Sequence, residues 1–381
     1  MQYRKLCGEK VSILGFGTMR FPILDKNQKF IDAEKAEEML DYAIENGVNY
    51  LDTAQPYHGG ESENFVGRYL KKRNLRDKIF LATKLPAWLI KEEADFDKYF
   101  NEQLKKLQTN YIDFYLLHAL NARSWKTINN LGVFNWCEKK KAEGKIKHIG
   151  FSFHDSYKVF KEIVDAYDKW EFCQIQYNYM DLTFQAGEKG FKYAVKNNID
   201  VIVMEPLRGG QLAKEPPKEI EELWQNFPLK RSYADGALRW LWNKKDVPIL
   251  LSGMTLMQHV KENIESAKKA EVGILSEKEI KLFKEVRKAY IKRLPFMCTT
   301  CKYCEPCPQG VAISSILGFY MMYRMYDDLE RSKSFYNGFI KEQNQADKCT
   351  ECGECMLKCP QQIEIIKWLK ESHKVLKKDQ K

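Results

Sequence analysis

Residues 32–57 read DAEKAEEMLDYAIENGVNYLDTAQPY and contain the unit from which the fold is built. Asp32–Asn46 predicts an amphipathic helix, because its apolar side chains recur at helical spacing and Gly47 is suited to end it. Asn49–Asp52 predicts a short strand, and a polar loop that reaches Tyr57 follows it. A helix, a strand and a polar loop therefore succeed one another in this stretch.

The same alternation continues along the chain. Most of the strand candidates are β-branched or aromatic and lack clean alternation, as expected of strands buried on both faces. They are Ser12–Phe16, Asn49–Asp52, Ile79–Lys84, Ile112–His118, His148–Phe153, Phe172–Gln176, Asp200–Met204 and Ile249–Ser252. Helix-like segments separate them, namely Asp32–Asn46, Glu61–Leu70, Phe96–Leu107, Trp125–Glu143, Tyr157–Tyr167, Gly187–Asn197, Ser232–Trp242 and Met257–Lys268. Such units repeated over roughly 250 residues predict an α/β fold, a (β/α)8 TIM barrel.

An open, doubly wound sheet is the alternative architecture. That fold usually carries a glycine-rich first turn that binds a dinucleotide. The nearest segment here is Gly15-Phe16-Gly17-Thr18, and no third glycine follows at the required place. The closed barrel is therefore favoured.

A second, smaller domain is predicted after the barrel. Ser276–Ile291 predicts a helix that closes the barrel, and Pro295 disfavours a helical conformation for Leu294 before it. Val311–Gln345 is rich in Met, Tyr and Leu and predicts helices. We expect a barrel over residues 1–292 and a small, mainly α-helical domain over residues 293–381.

The composition indicates a globular protein of a reducing compartment. The chain has 381 residues, 44% of them hydrophobic, and a formal net charge of +10 that we assign to a solvated, Lys-rich surface. We expect no membrane span, no signal peptide in the polar stretch Met1–Lys10, and no nucleic-acid partner. The chain has 11 cysteines, and free thiols together with a metal-like cluster of cysteines predict a cytoplasmic location.

Eight of the 11 cysteines form two runs. The runs are Cys298-x2-Cys301-x2-Cys304-x2-Cys307-Pro308 and Cys349-x2-Cys352-x2-Cys355-x3-Cys359-Pro360. The second run has the spacing of bacterial ferredoxins, and three thiolates so spaced can hold three corners of a cubane. We therefore predict two [4Fe–4S] clusters. Two zinc sites are the alternative, but the third cysteine of each run would then be oddly spaced.

The resemblance to two-cluster ferredoxins implies that the last cysteine of each run binds the other run's cluster. One cluster would then use Cys298, Cys301, Cys304 and Cys359, and the other Cys349, Cys352, Cys355 and Cys307. The long helical stretch between the runs resembles the α-helical ferredoxin domains of multi-subunit oxidoreductases.

Four polar side chains lie at the predicted carboxyl ends of neighbouring strands, where barrels carry their chemistry. These are Asp52, Tyr57, Lys84 and His118. When hydride adds to a carbonyl, the oxygen must take a proton, and a phenol with a pKa of about 10 is a weak acid. We expect the ammonium of Lys84, held by Asp52, to lower the pKa of Tyr57. His118 can donate a hydrogen bond that orients the carbonyl.

These segments resemble the aldo/keto reductase family. The resemblance lies in Leu51-Asp52-Thr53-Ala54-Gln55-Pro56-Tyr57 with Gly60-Glu61-Ser62-Glu63, in Ala82-Thr83-Lys84, in Tyr115-Leu116-Leu117-His118 and in Gly15–Met19. A barrel with this cysteine-rich extension resembles the subgroup that carries a ferredoxin-like C-terminus. The resemblance implies reduction of a small-molecule aldehyde or ketone by NAD(P)H, with Tyr57 as the proton donor.

The same resemblance implies a set of cofactor-binding residues. They are Ser152, Gln174, Pro206, Leu207, Gly209, Gly253, His259, Glu262 and Asn263. Met204 stands where many members stack an aromatic ring on the nicotinamide, and Phe153 stands where they usually have asparagine. Gly253 and His259 stand where many NADPH-using members carry lysine and arginine, so NADPH and NADH both stay open.

Electron transfer between the two parts of the chain would need a further step. Nicotinamide transfers two electrons as hydride, whereas a cluster transfers one at a time, so coupling usually needs a flavin. The sequence has no flavin fingerprint, although a barrel mouth can bind a flavin without one. The clusters would be structural, would exchange electrons with a redox protein partner, or would reach a further cofactor that the sequence does not reveal. The alternative function is an electron-transfer or redox-sensing protein whose barrel binds nucleotide without carbonyl turnover.

Overall fold

The computed structural model describes residues 1–25, 27, 29–228, 230–298, 304–359 and 361–378. The chain forms two compact units. The first comprises Met1–Lys214 and Arg231–Ser276, and the second comprises Glu215–Lys230 and Glu277–Lys381.

The first unit begins with an antiparallel hairpin, which the sequence analysis did not predict. Its strands are β1 (Tyr3–Leu6) and β2 (Glu9–Ser12), joined by a turn in which Cys7 and Gly8 have φ values of 51° and 86°. The backbone N–H of Cys7 donates to Asp200 Oδ2 at 2.6 Å, at the start of a barrel strand. Leu6 and Val11 are buried among the barrel's inward-facing side chains, so the hairpin closes the end of the barrel opposite the strand carboxyl termini.

Eight parallel strands form the closed barrel. They are β3 (Leu14–Gly17), β4 (Tyr50–Asp52), β5 (Phe80–Leu85), β6 (Ile112–Leu120), β7 (Ile146–Phe153), β8 (Phe172–Gln176), β9 (Asp200–Met204) and β10 (Ile249–Gly253). Each pairs with the next, and β10 pairs with β3, with Leu250 opposite Leu14. The predicted TIM barrel is confirmed, and the open doubly wound sheet is excluded.

Helices of the first unit surround the barrel. They are α1 (Ala33–Glu45), α2 (Glu61–Lys72), α3 (Ala94–Leu107), α4 (Ala122–Asn130), α5 (Val133–Ala142), α6 (Tyr157–Asp165), α7 (Gly187–Lys196), α9 (Tyr233–Trp242) and α10 (Met257–Lys268). The prediction of one helix over Trp125–Glu143 was wrong. Gly132, at φ 74°, separates α4 from α5, since a left-handed residue cannot continue a right-handed helix.

Helices α2 and α3 pack unusually closely. A Cβ atom at Gly67 of α2 would lie 2.2 Å from the carbonyl oxygen of Lys106 and 2.7 Å from Cα of Leu107, both in α3. Because these are backbone atoms, only glycine allows the two helices this approach.

The described part of the second unit is helical. It contains α8 (Lys218–Trp224), α11 (Glu277–Lys292), α12 (Ile313–Tyr326), α13 (Leu329–Phe339), α14 (Glu354–Leu357) and α15 (Ile365–Leu376). Trp224 and Phe227 pack on Phe283 of α11, with ring centroids 5.5 and 5.1 Å away. Helix α11 therefore groups with the second unit, and the predicted division between residues 292 and 293 stays a prediction. Among the described helices, none is long and apolar enough to cross a bilayer.

Candidate active site and cysteine region

The four candidate catalytic side chains meet at the carboxyl end of the barrel. Lys84 Nζ donates to Asp52 Oδ1 at 2.7 Å and to the carbonyl oxygen of Thr53 at 2.9 Å, and lies 3.4 Å from Tyr57 Oη. The Tyr57 and His118 rings are edge to face, with centroids 6.2 Å apart. The four side chains therefore lie together in one site, as their positions along the chain predicted.

Local backbone geometry holds Tyr57 beside Lys84. Strand β4 ends at Asp52, and Tyr57 opens a short turn in which His58, Gly59 and Gly60 all have positive φ. Ser62, in the first turn of α2, is bonded through its hydroxyl to Thr53 Oγ1 at 2.9 Å and Thr18 Oγ1 at 2.8 Å. These bonds fasten the loop to the ends of β3 and β4.

Burial and charge act in opposite directions on this site. Burial raises the pKa of the Asp52 carboxyl, and Lys84 opposes that rise. Burial disfavours the charged form of Lys84, yet Asp52 and Tyr57 outweigh it and hold the Lys84 pKa above its usual range. Desolvation also raises the pKa of Tyr57, and the Lys84 ammonium offsets only part of the rise. The expected net lowering of the Tyr57 pKa was therefore wrong, although Lys84 does act in the predicted direction.

His118 is a neutral imidazole at neutral pH. Its pKa lies well below the usual range because the ring is buried and because Lys84 is nearby. Nδ1 is buried and has no hydrogen-bond partner among the described residues. The ring of Trp88 lies 5.0 Å away, centroid to centroid. A neutral ring so placed can donate one hydrogen bond to a ligand without adding charge.

The candidate nicotinamide contacts also lie at strand ends. Ser152 Oγ, at the end of β7, accepts the backbone N–H of Ala119 at 2.7 Å, which leaves the hydroxyl hydrogen for another acceptor. Gln174 of β8 places Nε2 3.6 Å from Met204 Sδ. Its Oε1 is buried without a hydrogen-bond partner in the described part of the chain. Such an orphaned amide oxygen and a hydroxyl donor suit a carboxamide ligand.

The other candidate cofactor residues lie in the loop after β9 and at the end of β10. Pro206, Leu207 and Gly209 belong to a turn in which Glu205 and Arg208 have φ values of 54° and 49°. Arg208 Nε is 3.0 Å from Asp181 Oδ1, which anchors this loop. Asn263 Nδ2 donates to Ser252 Oγ at 3.0 Å. His259 and Glu262 are exposed on α10, and Gly253 is exposed at the end of β10.

Arg20 is a basic residue beside Gly253 that the sequence analysis missed. A Cβ atom at Gly253 would lie 3.0 Å from Arg20 Cδ and 3.1 Å from Cγ, so the arginine stem occupies the space above this glycine. Arg20 Nη2 lies 3.9 Å from Glu205 Oε1, and its side chain is 40% exposed. Only closure of the barrel by β3 and β10 brings the two residues together, and no local motif signals it.

Cysteines of both runs line one pocket of the second unit. Cys304, Cys307, Cys349, Cys352 and Cys355 belong to its wall. Burial raises the pKa of the Cys355 thiol, and the nearby Cys349, Cys307 and Cys352 raise it further. Cys298 and Cys359 pack against the apolar core of the second unit, which includes Ile316, Leu317 and Leu369, and Cys301 lies outside the described residues. Within the described ranges, no group of three or more His, Cys, Asp or Glu side chains has the arrangement of a site for one metal ion.

Glu305 connects the first cysteine run to the helices of the second unit. Its Oε1 accepts the backbone N–H of Ser314 at 3.1 Å and the Ser314 hydroxyl at 2.6 Å, in the first turn of α12. The first four backbone N–H groups of a helix have no partner within the helix, and Glu305 accepts a hydrogen bond from one of these groups in α12.

Comparison with known proteins identifies both parts of the chain. The model of the aldo/keto reductase family matches residues 13–288, and the model of a 4Fe-4S dicluster domain matches residues 297–364. The holo form of aldo-keto reductase AKR11C1 from Bacillus halodurans is 27% identical with a TM-score of 0.60, over 75% of this chain and 96% of that one. An aldo-keto reductase from Klebsiella pneumoniae, solved with NADPH, shares the fold with a TM-score of 0.59 at 21% identity, over 75% of this chain and 96% of that one.

Curated relatives bear oxidoreductase names. The uncharacterized oxidoreductase YqkF of Bacillus subtilis is 28% identical over 66% of this chain and 87% of its own length. Norsolorinic acid reductase B of Dothistroma septosporum is 36% identical over 31% of this chain, and the match spans 34% of that relative. The chain is therefore an oxidoreductase that belongs to the aldo/keto reductase family and carries a 4Fe-4S domain after its barrel.

Proposed function

We propose that the protein reduces an aldehyde or ketone to the alcohol with hydride from NAD(P)H, and that Tyr57 donates the proton. One observation carries this proposal: Lys84 Nζ lies 2.7 Å from Asp52 Oδ1 and 3.4 Å from Tyr57 Oη. A phenol, an ammonium and a carboxylate in this contact suit proton transfer to a developing alkoxide.

Each residue has a distinct part in this reaction. A nicotinamide bound at this site would supply hydride to the carbonyl carbon. His118, as a neutral ring, donates a hydrogen bond that orients the carbonyl oxygen between itself and Tyr57. Tyr57 then gives its proton to that oxygen, and the resulting phenolate is stabilised by the ammonium of Lys84. Asp52 and the carbonyl of Thr53 keep Lys84 charged and in place.

The cofactor would lie across the strand ends. Ser152 and Gln174 would hold the carboxamide of the nicotinamide, and Pro206, Leu207 and Gly209 would contact the pyrophosphate. Gly253, His259, Glu262 and Asn263 would surround the adenosine. We assign to Arg20 the cation that positions 253 and 259 do not supply, because its stem lies directly over Gly253. NADPH is then preferred to NADH, since a guanidinium binds a phosphate strongly.

The cysteine runs would hold two [4Fe–4S] clusters in the swapped arrangement. Cys307 lines the same pocket as Cys349, Cys352 and Cys355, which supports one of the two ligand sets. The other set would be Cys298, Cys301, Cys304 and Cys359. An all-thiolate donor set suits iron–sulfur clusters. The clusters would stabilise the second unit or exchange electrons with a redox protein partner.

The decisive experiment replaces the proton donor. Tyr57→Phe is expected to lower turnover by about 10²–10⁴-fold with a panel of carbonyls under anaerobic conditions, while NADPH still binds. Tyr193→Phe removes a surface phenol that bonds to Asp165 and serves as the control. An unchanged rate in Tyr57→Phe would remove the proton-donor role. Wild-type protein that binds NADPH but turns over no carbonyl would favour the electron-transfer alternative.

A further inference from the structure

A fully buried polar network lies directly behind Lys84. Glu63 Oε1 accepts from Thr83 Oγ1 at 2.7 Å and from Gln103 Nε2 at 2.8 Å. Gln103 Nε2 also donates to the carbonyl oxygen of Lys84 at 2.9 Å, and Gln103 Oε1 accepts from Tyr115 Oη at 2.7 Å. Glu63 and Thr83 are 0% exposed, and Gln103, Lys84 and Tyr115 are 1% exposed. The network therefore connects α2 and α3 to the backbone of a candidate catalytic residue.

The carbonyl of Lys84 needs this partner because strand β4 is short. Asp52, the last residue of β4, pairs with Ala82, and the Ala82 carbonyl oxygen accepts the N–H of Thr53 at 2.9 Å. Strand periodicity points the Lys84 carbonyl in the same direction two residues later, where the chain has already left the sheet for the Tyr57 loop. The side-chain amide of Gln103 takes the place of the missing strand, because an unpaired buried carbonyl would be costly.

Only an amide of this length satisfies every partner of the network. It must donate to Lys84 O and Glu63 Oε1 while it accepts from Tyr115 Oη. A carboxylate cannot donate, and an aliphatic side chain can do neither.

We propose that Gln103 is a positioning residue for Lys84: by holding the Lys84 carbonyl from α3, it sets how far the ammonium extends into the barrel mouth toward Tyr57. The inference rests on the proposed role of Tyr57 as the proton donor. It adds a residue outside the candidate active site that acts through the Lys84 backbone.

A chemical consequence follows from the distance dependence of charge interactions. If Lys84 Nζ moves about 1 Å away from Tyr57 Oη, its stabilisation of the phenolate weakens, which corresponds to a rise in the Tyr57 pKa of roughly half to one pH unit. Tyr57 then becomes a weaker acid, and a displacement of this size can lower the rate by about ten- to a hundredfold.

The test uses the holoprotein and the Gln103→Leu variant. We expect kcat for carbonyl reduction to fall by about tenfold or more. The alkaline limb of the pH profile should move upward by roughly half to one unit. The Tyr57 pKa can also be measured without turnover, by ultraviolet titration of the Gln103→Leu variant minus that of the variant that also carries Tyr57→Phe.

Tyr69→Phe is the control, because it removes another buried phenol, bonded to Asp41 at 2.8 Å, that does not touch this network. Tyr69→Phe should lower the stability of the protein without moving the alkaline limb of the pH profile.

The outcomes separate this inference from the proposed function. The positioning role is refuted if Gln103→Leu loses activity only in proportion to the loss of folded protein, while the alkaline limb of the pH profile and the Tyr57 pKa stay unchanged. If wild-type protein shows no carbonyl turnover, the proposed function fails, while the Tyr57 titration still decides the inference. Should Gln103→Leu not fold, Gln103→Asn keeps the amide but is too short to reach Lys84 O, and the same shift is expected.

Discussion

His118 is a buried imidazole whose environment excludes positive charge, and this has a measurable effect on stability. Burial lowers its pKa the most, and the nearby Lys84 lowers it further. In the unfolded chain the same ring titrates near pH 6.5. The unfolded state therefore binds more protons below that pH, and His118 makes folding stability fall as the pH decreases from about 6.5.

This linkage predicts that His118→Asn flattens the acid side of the stability profile. Between about pH 6.5 and 5, the wild-type free energy of unfolding should fall more steeply, by up to about 1.4 kcal/mol per pH unit for this one group. The measurement is anaerobic denaturant unfolding at several pH values, followed by tryptophan fluorescence. Parallel profiles for the two proteins would contradict the assignment of a neutral, buried His118.

At the residue scale, the sequence predicted which groups meet but not how burial acts on them. Asp52, Lys84 and His118 lie at or near the carboxyl ends of their strands and Tyr57 follows one, so their convergence follows from the architecture alone. The direction of the Tyr57 pKa shift depends on desolvation, which is a property of the folded site. Gln103 was missed because its partners come from α2, β5 and β6, and nothing local to residue 103 indicates them.

Between elements, the closest approach of α2 and α3 occurs at Gly67. Gly67→Ala should force the two helices apart and destabilise the protein by about 1–3 kcal/mol, since the added methyl meets backbone atoms of α3. Gly338→Ala in α13 is the matched control, because open space surrounds it, and it should stabilise by about 0.5–1 kcal/mol. Thermal or denaturant unfolding measures both. Equal effects of the two changes would show that the packing at Gly67 is looser than described.

Contact between the end of β3 and the end of β10 leads to a prediction about cofactor choice. Arg20→Ala should raise the KM for NADPH by about tenfold and leave that for NADH nearly unchanged, because the guanidinium, at 40% exposure, is proposed to bind the extra phosphate. Arg20→Lys should retain part of the preference. Equal losses for both nucleotides would place Arg20 on the pyrophosphate instead.

The strands buried on both faces were predictable from the sequence, whereas the short exposed hairpin and the helix break at one glycine were not. The barrel strands stand out as short β-branched or aromatic runs, and each predicted run corresponds to a strand. The hairpin of β1 and β2 was missed because its strands are short and rich in Lys, Arg and Glu. The break at Gly132 was missed because glycine is tolerated in helices, and only its backbone angle shows that the helix ends.

The whole molecule combines an aldo/keto reductase barrel with a 4Fe-4S domain, so metal content is its most direct test. We expect about eight irons and eight sulfides per chain after anaerobic purification, from two cubane clusters. Cys355→Ser should remove about half of the iron, and Cys137→Ser, a buried cysteine of the barrel, should remove none. Zinc in place of iron would overturn the cluster assignment.

The overall organisation was readable from the sequence because each part has its own periodic or spaced pattern. Strand–helix alternation indicated the barrel, and the two cysteine runs indicated the 4Fe-4S domain. The exact division between them was harder to read. Whether α11 belongs with the barrel depends on Phe283, whose ring packs on Trp224 and Phe227 of a segment inserted between β9 and α9.

Closure of the barrel also has a consequence for synthesis. Leu14 of β3 pairs with Leu250 of β10, so one edge of the first barrel strand stays unpaired until the ribosome has synthesised the last barrel strand. At roughly 5–20 residues per second, that wait lasts on the order of ten seconds or more. Throughout it, an apolar strand edge is available to other nascent chains. Chaperone supply during translation, rather than the stability of the finished fold, should therefore limit the yield of protein from overexpressing cells.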